Sequence, residues 1–350
     1  MEFAIEKGMP FDLDGDYSEL LLSQMTTLFY QSLSYHKLLE KHLAAEAYYF
    51  LWFQEKQLKA VFPFMIKRND EYGAVLNSLP YYGSNGGPVY SNELSGEDIK
   101  WINTSLLKEF DSFCHKEGIV LSTIVTNPYC PEETDWFTQN WKHDKTDYRI
   151  GQITPIPNTE TVETDLMELF SNPRPRNIRR AIKAEISVTV EHDKVSLDFL
   201  YNVHKENIES IGGIPKRKEF FELIPEYFSD EEFAVFVARK DNEPIAAILL
   251  FYFNKTVEYF TPATIHDFRR DQPSALLIFE AMKEASKKGF ENWNWGGTWK
   301  SQEGVYDFKK RWGAQDHEYK YFIRFNDPDI IDQPIEGLKK AFPNFYLYPY

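Results

Sequence analysis

Apolar residues fall at helical spacing across residues 16–42 (Leu20, Leu21, Met25, Leu28 and Phe29, then Leu38 and Leu39), which predicts two helices with a break near Ser32–Ser34. The pattern then shortens. Apolar runs at 47–53 and 58–66 flank a polar turn at 54–57 and read as strands, as does 72–79. A turn-rich loop, 80–88, has no room for regular structure. A helix over 98–116 stops at Gly118, and a strand over 119–126 ends at Asn127-Pro128.

The same order then returns. Residues 165–184 are mainly helical, interrupted at Asn172-Pro173-Arg174-Pro175, and 186–191 form a strand. Helices at 197–210 and 217–228 precede a hairpin of 233–239 and 244–253, and then a strand at 256–261. A loop over 263–272 leads to a helix at 273–288, with Pro273 near its first turn and Gly289 as its stop. A strand carrying Phe290, Trp293 and Trp295 then runs into Gly296-Gly297. Strand–turn–strand–strand–loop–helix–strand thus occurs twice, offset by roughly 185 residues. A duplicated α/β (α+β) unit accounts for it, two tandem domains with the order of a GCN5-related N-acetyltransferase (GNAT) core, mixed sheets flanked by helices. The expected domains are 1–158 and 159–325, the second carrying the active site. A tail, 326–350, has a short amphipathic helix near 335–342 and an aromatic end, 345–350, too apolar to stay free, and is expected to pack on the first domain.

Composition changes this picture little. At 350 residues, 43% of them hydrophobic and 16% aromatic, the chain suits two packed cores. No apolar run approaches the ~20 residues that span a bilayer. The acidic N-terminus lacks the basic and apolar regions of a signal peptide. Cys114 and Cys130 have neither a CxxC neighbour nor metal spacing, so a reduced, cytoplasmic protein is expected. The net charge of −15 argues against coating nucleic acid, but leaves room for a local basic cleft that holds one phosphorylated ligand.

Familiar catalytic signatures are missing: HExxH, GxSxG, a Walker loop and GxGxxG are all absent. The eight histidines are scattered and read as structural or surface residues; no metal is expected. Before the 273–288 helix stands Arg270-Asp271-Gln272-Pro273-Ser274-Ala275, where an acetyl-CoA enzyme would present glycine-rich N–H donors to pyrophosphate. Pro273 lacks that N–H and Asp271 adds negative charge, so standard CoA binding is disfavoured. Five cations lie within residues 174–183, with Arg176, Arg179 and Lys183 on one helix face and Arg180 beside them. They suit phosphate contact or, equally, a solvated face. Arg217 stands at a helix start in Pro215-Lys216-Arg217-Lys218, a second place for an anion. Finally, Val305–Gly313 packs Lys309, Lys310 and Arg311 among aromatic rings, either as a snorkelling helix turn or as a place where negative charge is held out of water.

A strand ending in Gly-Gly, a variable loop, and then Tyr306-Asp307-Phe308-Lys309 with Trp312 three residues on resembles the Fem-type peptidyltransferases, the FemA, FemB and FemX aminoacyltransferases of cell-wall building and their FemAB-like relatives. The likeness covers nearly the whole chain. It implies that Lys309 neutralises a developing oxyanion, with Phe308 and Tyr306 of the same motif as further catalytic candidates. It implies that Arg217 binds a phosphate, that Lys37 or Lys41 reaches the acceptor's phosphates, and that Arg176, Arg179 and Arg180 belong to the basic helix that opens domain two. There are departures. Asn127 precedes Pro128 where relatives often have Asp, the expected strand tyrosine falls at Phe260 with Tyr259 next to it, and the long coiled-coil arm of FemA and FemB is absent.

The expectation is therefore an N-acyltransferase that moves an aminoacyl or acyl group onto an amine of a phosphate-bearing cell-wall or cell-surface precursor, such as a nucleotide-sugar peptide. No cofactor is expected. The donor is aminoacyl-tRNA or acyl-CoA, and peripheral membrane contact is left open. No Cys or Ser nucleophile stands out, so direct attack by the amine is preferred over a covalent intermediate. The alternatives are a GNAT-type acyl-CoA enzyme acting on a small or polysaccharide-linked amine, and a non-catalytic precursor-binding module favoured by Asn127 and Pro273. A carbohydrate binder is a weaker third, motivated by the tryptophans.

Overall fold

The computed structural model describes residues 1–81 and 86–348. Residues 82–85 of the expected turn and the last two of the aromatic tail lie outside the described residues. The chain forms two compact units, Met1–Arg149 with Glu318–Tyr350, and Ile150–His317.

In the first unit, β1 (Glu2–Lys7), α1 (Asp14–Ser23) and α2 (Leu33–Leu43) precede an antiparallel meander of β2 (Glu46–Gln54), β3 (Gln57–Asn69) and β4 (Gly73–Asn77). The helical break is wider than the periodicity predicts. Thr27 donates its hydroxyl to the carbonyls of Leu21 and Gln24 and so ends α1, while the Ser32 hydroxyl accepts from Tyr35 N and starts α2. After β5 (Val89–Tyr90) comes α3 (Gly96–Glu117), whose start is a capping box of Ser95 and Asp98 and whose stop is Gly118 at φ 63°. It crosses over to β6 (Ile119–Val125), parallel to β4, and α4 (Pro131–Asn140) follows. The strand order is β1-β2-β3-β4-β6-β13, with β5 on β3 and β13 (Gln315–Phe325) supplied from the far end of the chain. Phe50, Phe62, Phe64 and Phe110 fill the core under α3. The tail, with α11 (Ile335–Ala341), packs in this unit. Asn77 exchanges two hydrogen bonds with Tyr346, and Tyr81 N donates to Asn344 O.

The second unit repeats the order. β8 (Ser187–Glu191), α7 (Lys194–Glu209) and α8 (Lys218–Tyr227) lead into β9 (Phe233–Lys240), β10 (Glu243–Phe253) and β11 (Thr256–Thr264). Then α9 (Pro273–Lys287) crosses to β12 (Asn292–Thr298), parallel to β11, and α10 (Glu303–Lys310) follows. α5 (Val162–Leu169) and α6 (Arg174–Lys183) come before this repeat. Their buried Leu166, Ile178 and Ala181 join α9 in one core with Trp293, Trp295 and Trp312. The strand order is β7-β12-β11-β10-β9-β8, where β7 (Lys145–Pro155) enters from Ile150 on.

Each repeat is thus completed by a strand from the other half of the chain: β7, which follows α4, pairs with β12, and β13, which follows α10, pairs with β6. This exchange puts the divisions at 149/150 and 317/318 rather than at 158 and 325.

Candidate active site

Lys309 sits in the last turn of α10 with its side chain 7% exposed. Its ammonium donates to Thr298 Oγ1 at 2.7 Å and to the carbonyls of Gly296 and Gly297 at 3.1 and 3.2 Å. Three acceptors match its three protons. The glycine pair makes this possible, because Gly296 takes φ 71° and turns both carbonyls inward at the end of β12. Thr298 in turn donates to Gln152 Oε1 (3.0 Å), and Gln152 Nε2 donates to Tyr306 O (3.2 Å), so buried hydrogen bonds tie β12, β7 and α10 together. Burial lowers the Lys309 pKa to about 8, since no carboxylate compensates the desolvated charge. The lysine still carries its proton at neutral pH.

Lys309 faces a cleft of about 580 Å³, within the range of small-molecule sites. Phe308 and Tyr259 form apolar walls, Asn207 and Ser274 offer polar groups, and Arg269 adds a second cation. No Asp or Glu is among the described residues that line it. Pro273 and Ser274 bring the start of the 15-residue α9 to the cleft, where the helix dipole favours an anion. Asp271, expected to oppose one, is paired with Lys240 at 2.8 Å. Asn207 exchanges hydrogen bonds with the backbone of Thr264 and ties α7 to the end of β11.

A bulge decides which aromatic of β11 reaches the cleft. Leu249 pairs with Thr261 and Leu250 with Tyr259, so Phe260 is the extra residue. Phe260 stacks on Phe220 instead (5.4 Å, 15°), and Tyr259 lines the cleft with its ring 4.9 Å from Trp295. Burial raises the Tyr259 pKa, so its hydroxyl keeps its proton and can donate.

The other expected residues are more scattered. Tyr306 does not line the cleft; its hydroxyl donates to Asp316 at 2.6 Å, a bond that raises its pKa. Arg217 is exposed at the N-cap of α8 and paired with Glu219 at 3.3 Å. Arg176, Arg179 and Arg180 lie on the exposed face of α6, while Ile178 and Ala181 point into the core. Lys37, Lys41 and Asn127 belong to the first unit: Lys37 pairs with Asp14 at 3.0 Å, Lys41 is exposed in the last turn of α2, and buried Asn127 donates to Thr26 O at 2.9 Å. Within the second unit, only Lys309, Phe308 and Tyr259 of the expected residues share a cleft.

Arg174 was visible in the sequence only as one cation of a basic run. Its guanidinium lies 4.3 Å from the Phe308 ring and 5.0 Å from Trp312, and donates to Phe308 O at 3.1 Å. Burial lowers its pKa to about 10. It holds the end of α10 beside Lys309. Gln152 and Thr298 carried no sequence signal at all, because their role arises only when β7 meets β12. No group of three or more His, Cys, Asp or Glu among the described residues could hold a metal ion, and no described helix is long and apolar enough to cross a membrane.

Comparison with known proteins supplies the rest. Residues 229–320, which contain β9 to α10, match the model of the FemAB family. No curated protein matches the chain. Among solved structures, FemX superposes with a TM-score of 0.71 at 15% identity, covering 97% of this chain and 99% of its own. A conserved protein of unknown function from Bacteroides thetaiotaomicron gives 0.60 at 12% identity, covering 92% of this chain and 100% of its own. A tandem GNAT protein from the clavulanic acid biosynthesis pathway gives 0.57 at 8% identity, covering 93% and 99%. The fold is that of tandem GNAT-like domains. With the FemAB match over 229–320, the resemblance to the Fem-type family read from the sequence is borne out.

Proposed function

We propose that the protein is a FemAB-like N-acyltransferase that moves an aminoacyl group onto an amine of a phosphate-bearing cell-wall or cell-surface precursor. The observation that carries this reading is Lys309: a buried cation without a carboxylate partner among the residues that line its cleft. When an amine attacks an ester carbonyl, the new C–N bond forms as the carbonyl π electrons move to oxygen. That oxyanion needs a positive charge or donor in a dry site, and in this reading Lys309 supplies one by exchanging a glycine carbonyl for the oxyanion. Tyr259 offers a second donor. Collapse of the tetrahedral intermediate breaks the bond to the leaving hydroxyl, which takes up a proton, while the attacking nitrogen loses one.

An acyl-CoA donor is the second reading. The start of α9 and Arg269 at the cleft favour it, because both suit a pyrophosphate. Incubation of a UDP-linked muramyl peptide with the protein and either aminoacyl-tRNA or acyl-CoA, followed by intact-mass spectrometry, separates the two. A mass gain equal to the donated group, lost in Lys309→Ala, is expected with aminoacyl-tRNA. A gain only with acyl-CoA selects the second reading, and no gain with either excludes this acceptor.

A further inference from the structure

The first unit has its own cleft of about 540 Å³ at the corresponding place in the repeat. In the second unit the cleft is bounded by the helix after the parallel strand (α10) and by the crossover helix (α9). In the first, α4 and α3 take those places. The charges are reversed. Where the second unit's cleft has Lys309 and Arg269 and no acid, this one has Glu132 and Glu133 and no Lys, Arg or His among its described lining residues.

Glu133 lines the cleft and is half-buried. Its carboxylate accepts from Asn127 N at 3.4 Å, a long bond. The backbone of Gly87 packs so closely that a Cβ there would fall 1.9 Å from Glu133 Oε1. Among the described residues that line the cleft, no cation stands opposite Glu133. Tyr90 and Trp136 flank the space, and Leu94 and Ile99 add apolar surface. Tyr90 directs its hydroxyl to Asn103 Oδ1 at 2.5 Å, which leaves its ring as wall. A carboxylate without a cation, aromatic faces, and an apolar remainder together select a cation attached to an apolar body.

We propose that this cleft binds a small molecule bearing an ammonium group on an apolar chain, with Glu133 as counter-ion and the rings of Tyr90 and Trp136 beside the cation. Burial raises the Glu133 pKa to about 8, as expected of a carboxyl group waiting for a partner. The site does not depend on the transferase reading, because none of its residues belongs to the Lys309 cleft.

The test uses the full chain and saturation-transfer NMR titrations at pH 8.5 with three probes of equal length: pentylammonium, pentanol and pentanoate. Pentylammonium is expected to bind about tenfold more tightly than pentanol, and pentanoate more weakly than either. Glu133→Gln, which keeps the shape, should bring pentylammonium to the level of pentanol, and Trp136→Ala should weaken both; near-UV circular dichroism checks that the variants fold. Equal binding of pentylammonium and pentanol, or no binding of pentylammonium, overturns the proposal. So does unchanged pentylammonium affinity in a folded Glu133→Gln, since diffuse attraction to a chain of net charge −15 would survive that substitution.

Discussion

Lys309 is a buried and Glu133 a half-buried ionisable group of opposite sign, and desolvation displaces both toward pH 8. For Lys309 this sets an upper limb on activity: the cation is present below about pH 8 and lost above it, so kcat/KM for amine acylation should fall as pH rises through that value. Lys309→Ala should lower turnover by about 10²–10³, and Lys309→Arg, which stays charged, should lack the limb. A pH–rate series on the three proteins checks both.

Glu133 gains charge over the range in which Lys309 loses it. Its folded pKa lies above the unfolded value, so the stability it contributes is whole below about pH 4.5 and is lost as pH rises through 8. Among the described residues, the groups around it are Glu132, Cys130, Tyr90 and the amide of Asn127, none of them a cation. Glu133→Gln should therefore raise Tm more at pH 8.5 than at pH 5. Thermal melts at the two values decide the matter, and an equal shift would refute it.

At the scale of elements, α10 is the piece that must be placed well, and it is short. Arg174 clamps its end through Phe308 O, and Gly313, at φ 79°, turns the chain just beyond it. A Cβ on Gly313 would lie 2.6 Å from Leu169 Cγ. Gly313→Ala should cost about 1–2 kcal/mol from the left-handed backbone and the forced shift of Leu169, read as a lower midpoint in urea. Arg174→Ala removes a half-buried cation with its ring contacts, and should lower kcat more than it raises KM, because it loosens Lys309 without touching a bound substrate.

At the scale of the whole chain, the tail completes the first unit. Leu338, Phe342, Phe345 and Leu347 are buried, and the backbone of Tyr346 is bound to Asn77 and Thr123. Ending the chain after Gln333 should destabilise that unit by on the order of 5 kcal/mol, from four apolar side chains at about 1.5–3 kcal/mol each, less what the unfolded chain already buries. A melting point within a degree or two of the full-length chain would contradict this.

Period and punctuation made the repeat legible. β-Branched and aromatic runs marked the meanders, Gly118 and Pro273 marked helix ends, and Tyr306–Lys309 after Gly296-Gly297 marked the loop that holds Lys309. These are local signals, because a strand's alternation and a helix's caps are read within a few residues. What waited for the tertiary structure was non-local. The exchange of β7 and β13 follows from pairing between segments more than a hundred residues apart, which no local pattern encodes. Tyr259, not Phe260, reaches the cleft because one bulge reverses the faces of β11. Basic side chains on α6 looked equivalent in the sequence, yet Arg174 packs half-buried against α10 and Arg176, Arg179 and Arg180 face water. Burial, unlike spacing, is settled only when the other elements arrive, and burial is what turns Lys309 and Glu133 from ordinary surface charges into candidates for chemistry and binding.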